Sequence, residues 1–189
     1  MREHGVLRRI LVLYRETAHG LRAGANGLDA GALAQAADLF RRFGEDYHET
    51  QLEEGHVFPA VQKAGGPAAE LVGVLKAQHA RGREINGFVT AKCAKGRIGA
   101  GDAEPLARAL ESFARMYEAH AAVEDTIVFQ AWRSKMSKRE LEETGERFEK
   151  LERDRFHGDG FDMAADEVAT LERRLGFSGL DRYTAPPPA

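Results

Sequence analysis

Apolar residues recur at intervals of three and four along most of the chain, the period of a helix buried on one face. Leu106, Leu110, Phe113, Tyr117 and Ile127 keep that spacing, whereas alternating strand patterns and hairpin signals are scarce. The expectation is an all-α protein: an antiparallel four-helix bundle with a C-terminal helical extension.

Start and stop signals divide the pattern. A first helix from about Arg2 to His19 ends in a glycine-rich joint, after which Asp29 is a suitable N-cap for a second helix reaching "FPAVQKAGG". Pro67 suits the first turn of a third, which ends near "AKGRIGAG"; Asp102 is expected to cap a fourth that continues past Trp132. Ser137 and Glu140 have the spacing of a capping box opening a charged fifth helix, and a short last helix spans about Phe161 to Leu175. The division expected is a bundle over 1–135, a helical extension packed on it over 136–176, and an irregular proline-rich tail over 177–189.

With 189 residues, 43% of them hydrophobic, one domain with a full core is expected. A net charge of -3 from 27 basic and 30 acidic residues shows no basic block, which argues against nucleic acid and anionic membrane as partners. No apolar run approaches the ~20 residues needed to cross a bilayer. A single cysteine, Cys93, excludes an intrachain disulfide framework and fits a reducing compartment, so a cytoplasmic location is expected.

The chemistry lies on the apolar stripes. His120 and Glu124 stand among the fourth-helix positions that must face the core, four residues apart and on one face, which is geometry for joint ligation of a metal. A buried carboxylate costs several kcal/mol unless it is paired, protonated or metal-bound. His4 shares a stripe with Leu7, Leu11 and Tyr14, and His79 one with Val72 and Leu75. The second helix carries His48 and Glu53 in "HETQLEEGHVFPAV", a phrase that repeats "HAAVEDTIVFQAW" of the fourth when the phenylalanines are superposed. Four imidazoles and two carboxylates, His4, His48, Glu53, His79, His120 and Glu124, are a ligand count for two metal ions; iron, manganese and zinc all suit it. Tyr14, Tyr47 and Tyr117 lie within reach of such ligands as possible hydrogen-bonding phenols. His19 and His157 read as surface residues.

These four segments together resemble the hemerythrin-like (HHE cation-binding) family over roughly Arg2 to Trp132. The resemblance implies two iron ions, oxo- or hydroxo-bridged, that meet a small diatomic ligand or peroxide. Two functions then compete: a protein that binds or senses dioxygen, peroxide or nitric oxide, and an oxidoreductase that decomposes peroxide or reduces nitric oxide. No dedicated acid, base or electron-donor domain is visible, so binding is the first reading and enzymatic activity stays open.

One spacing departs from the family pattern. Glu53 follows His48 by five residues, which on a regular helix at roughly 100° per residue leaves them about 140° apart. A π-turn between about Tyr47 and Gly55, eased by Gly55 and Pro59, would bring both to one face. Otherwise His56, Glu49 or Glu54 takes the ligand place.

Overall fold

The computed structural model describes residues 2–24 and 27–188, so that Ala25 and Asn26 of the first glycine-rich joint fall outside it. Helix α1 is Glu3–Arg22. Helix α2 starts as Ala30–Leu39, widens into a π-helical stretch over Phe40–Val57 and closes as Phe58–Ala64. Helix α3 is Pro67–Cys93. Helix α4 starts as Ala103–Val123, widens over Glu124–Val128 and closes as Phe129–Arg133. Helices α5, Lys138–Phe156, and α6, Gly160–Leu175, complete the order. No strand occurs among the described residues, and the architecture is an all-α bundle.

Most boundaries obey local chemistry. Asp29 accepts from the amide of Ala32 at 2.8 Å, and Ser137 and Glu140 form the reciprocal capping box. Asp159 caps α6, which stops at Gly176 in the left-handed conformation with φ 79°. Asp102 departs from expectation: its carboxylate takes the Lys92 ammonium at 2.6 Å instead of capping α4.

Cross-helix pairs fix the antiparallel order. Along α1 and α4 the pairs run Arg8 with Asp125, Arg15 with Glu118 and Arg22 with Glu104. Between α2 and α3, Glu54 meets His79 and the carbonyl of Ala37 meets Asn86. Two buried apolar clusters fill the bundle. A large one holds Leu7, Leu11, Phe40, Phe43, Leu110 and Phe113, and a smaller one at the other end holds Val57, Phe58, Val72, Leu75, Val128 and Phe129. Buried His4, His48, Glu53, His79, His120 and Glu124 lie where the two clusters meet: Phe129 and Phe58 of the smaller one pack on His4 and His79, and Tyr117 of the large one on His120.

The last two helices close over this bundle. Val168 and Leu171 of α6 join the large cluster, and the guanidiniums of Arg9 and Arg42 fork onto Glu172 and Glu167 of α6. On α5, Phe148 stacks on Trp132, and buried Glu152 accepts from Arg2 at 2.9 Å and from the amide of Phe161 at 2.7 Å. The segment expected to be an irregular tail contains a short 3-10 turn at Leu180–Tyr183.

Candidate metal centre

The helices bring His4, His48, Glu53, His79, His120 and Glu124 together, each no more than 2% exposed. They fall into two overlapping groups, His4, His48, Glu53 and Glu124, and Glu53, His79, His120 and Glu124. Within each group the donor atoms lie within 4.8 Å of one another, and both glutamates belong to both groups. His48 Nε2 is 3.0 Å from Glu53 Oε1, and His79 Nε2 is 3.3 Å from Glu53 Oε2. His120 Nε2 and His4 Nε2 lie 3.0 and 3.5 Å from Glu124 Oε2.

The widened helices produce this convergence. In an α-helix His48 and Glu53 would diverge; the π-helical stretch holds them on one face. Thr50 Oγ1 donates to the carbonyl of Glu45, also five residues back, at 2.7 Å. The widening is longer than the single turn anticipated, and a second one comes just after the regular His120–Glu124 spacing. That second turn corrects the fourth-helix stripe. Ile127, expected in the core, is 43% exposed, and Val128 is fully buried in its place, because one added residue per turn rotates the helix beyond it.

The repeated phrase has a common structural role. In each copy the first acid, Glu53 or Glu124, faces the centre. The next, Glu54 or Asp125, meets Nδ1 of a histidine on a neighbouring helix: Glu54 reaches His79 at 2.9 Å and Asp125 reaches His4 at 3.0 Å. The phenylalanine then packs on that same imidazole, Phe58 on His79 at 5.6 Å between ring centroids and Phe129 on His4 at 5.7 Å. Each copy cradles one histidine from a different helix. Gln78 serves His120 Nδ1 through its side-chain oxygen at 2.9 Å.

These partners decide what the ring nitrogens present. Nδ1 facing an acceptor carries the proton, which leaves Nε2 of His4, His79 and His120 as lone pairs turned inward. Nε2 of His4 lies 2.9 Å from that of His48, and Nε2 of His79 3.1 Å from that of His120. All four oxygens of Glu53 and Glu124 are buried without a hydrogen-bond partner among the described residues. Lone pairs and anionic oxygens at such distances repel unless cations lie between them, so the donor set fits metal ions. Burial and the charge of Glu124 push the Glu53 carboxyl above the ordinary carboxylate range, against the pull of His79. Burial would raise Glu124 too, but His120 and His4 hold it below the ordinary carboxylate range. Burial pushes His48 down, toward the neutral imidazole a metal requires.

The alternatives for Glu53 fall elsewhere. His56 packs on Phe148 of α5 at 5.5 Å and belongs to neither donor group. Glu54 is the partner of His79 Nδ1, and Glu49, 1% exposed, takes Arg83 at 3.2 Å. Of the tyrosines, Tyr14 donates to Asn86 and Tyr47 turns to Glu152. Tyr117 stays beside the centre with its ring on His120 and its hydroxyl without a partner among the described residues. His19 and His157 are exposed.

The sequence profile of the Hemerythrin HHE cation binding domain matches residues 1–132. The chain belongs to that family. It is 42% identical over 185 residues to proteins of Mycobacterium tuberculosis (strain ATCC 25618 / H37Rv) and Mycobacterium bovis that are described only as uncharacterized. The match covers 97% of this chain and 71% of each of those proteins. No solved structure was found to match. The sequence pattern did not single out Asp125, Gln78, Arg8 or Arg83, although Asp125 comes directly after a ligand candidate, Gln78 directly before one, and Arg8 and Arg83 each four residues after one.

Proposed function

We propose that this HHE-domain protein is a non-haem di-iron protein that binds or senses dioxygen, peroxide or nitric oxide in the bundle core. Two donor groups that share both glutamates carry this reading. His4 and His48 would hold one ion, His79 and His120 the other, and Glu53 and Glu124 would bridge them. Bound iron would supply a reversible change of oxidation state and an open position for a small ligand. The chain supplies the rest. Glu54, Asp125 and Gln78 aim three imidazoles, while Phe58 and Phe129 wall off one side from water.

The test is metal analysis with optical spectroscopy of protein reconstituted with excess ferrous iron. About two irons per chain and a spectrum that responds to peroxide or nitric oxide are expected. One ion or none defeats the dinuclear reading, and steady consumption of peroxide or nitric oxide under a reductant would replace binding by the oxidoreductase alternative.

A further inference from the structure

The two halves of the bundle repeat one another around the centre beyond the phrase on α2 and α4. On α1 the run "EHGVLR" ends at Arg8, and on α3 "QHARGR" ends at Arg83, so each places an arginine one helical turn after the inward histidine. Arg8 Nη2 donates to Asp125 Oδ2 at 2.6 Å, and Asp125 Oδ1 faces His4 Nδ1. Arg83 Nη2 donates to Glu54 Oε1 at 2.9 Å, the same oxygen that faces His79 Nδ1. The same chain of guanidinium, carboxylate and imidazole thus stands on both sides of the centre, one for each donor group.

We propose that Arg8 and Arg83 are positioning residues of the metal centre, each fixing the carboxylate that sets the proton and the aim of one ligand imidazole. This rests on the metal-binding reading above. A carboxylate on Nδ1–H makes the imidazole a better donor, and a guanidinium pinning that carboxylate holds the ring's direction. Folding gives Arg8 little reason to be there: its side chain is 47% exposed, and an ion pair at such exposure adds little to stability. The two sides also differ. Arg83 Nη2 reaches Glu49 Oε2 at 3.2 Å and Thr50 Oγ1 at 3.1 Å, so it compensates a second, buried acid as well.

The experiment uses the full chain and reads iron affinity by chelator competition, the optical spectrum of the ferric protein, and the melting temperature of the metal-free protein. Arg8→Gln and Arg83→Gln should each weaken iron binding about tenfold or more and shift the spectrum, Arg83→Gln the more strongly. Arg8→Lys and Arg83→Lys should recover part of the loss. Arg15→Gln, which removes an exposed pair with Glu118 farther along the same two helices, should change neither. If Arg8 acts through Asp125, the Arg8→Gln loss should largely vanish in an Asp125→Asn background; Glu54→Gln is the corresponding background for Arg83→Gln. Should a Gln variant fail to fold, the Lys variant replaces it in the cycle with the same two outcomes. Variants with wild-type affinity and spectrum, or losses that add fully in the cycle, overturn the inference while the metal reading stands. A wild-type protein that holds no metal overturns both.

Discussion

The amide of Phe129 donates to the carbonyl of Glu124, five residues back, and the amide of Phe58 does the same to Glu53. The two widened turns lie at equivalent places on α2 and α4. Each lets a glutamate face the centre, the adjacent acid reach a neighbouring histidine and the phenylalanine pack on that histidine.

Removing a shared carboxylate should therefore cost both metal positions. Glu124→Ala, and equally Glu53→Ala, should hold well under two irons per chain. With free iron at a hundred times its dissociation constant, the wild type should gain about 2.7 kcal/mol of unfolding free energy, and neither variant should gain that much. Metal analysis and denaturant unfolding with and without iron check this, and undiminished iron in Glu124→Ala would contradict the bridging assignment.

His56→Ala should leave metal content unchanged. Its ring lies on Phe148 outside the donor groups, so the expected effect is only a loss of about 0.5–1.5 kcal/mol in stability. Loss of iron from this variant would reopen His56 as a ligand.

Glu45 should make the bundle more stable in mild acid than at neutral pH. Burial, only partly offset by Asn86 and Arg83, pushes its carboxyl up from 4.5 to about 7. The folded state therefore favours the protonated form. Its contribution is full below pH 4.5, declines as pH rises and is lost above about 7. The swing is at most about 3 kcal/mol. Unfolding of the metal-free protein across this range should show the decline, and Glu45→Gln should make it shallower, since Glu53 and Glu49, also raised by burial, keep part of it.

Gly82→Ala should destabilise the bundle despite alanine's better helix propensity. A Cβ there would stand 2.9 Å from Cε2 of Phe113, a fully buried ring held against Tyr14 and Phe40. Overpacking of this kind costs about 1–3 kcal/mol, and the gain in propensity offsets at most about 1. Denaturant unfolding should show a net loss; a stabilised variant would mean that the ring yields.

The helices and the inward residues were legible because both are written locally. The spacing that buries Leu110, Phe113 and Tyr117 also turns His120 and Glu124 inward, and Asp29 and Ser137 cap helices with side chains three residues from the amides they serve. The extra residue between His48 and Glu53 was visible as a conflict between helical geometry and a shared face, and a π-helical stretch resolves it. No such conflict marks α4, where His120 and Glu124 keep the regular spacing. Its wide turn, and with it the exchange of Ile127 for Val128 in the core, left no trace in the local pattern.

By itself the sequence determined the set of helices and the residues each turns toward the core, since helical period and capping depend on neighbours within a turn. Only the tertiary structure decided which residues meet across helices. Asp125 reaches His4 from 121 residues away and Gln78 reaches His120 from 42, a register set by how four helices pack and slide against one another. The same packing sent Glu54 to His79 and left Glu53 facing the centre. The two acids are adjacent in the chain, and nothing in their own chemistry distinguishes them.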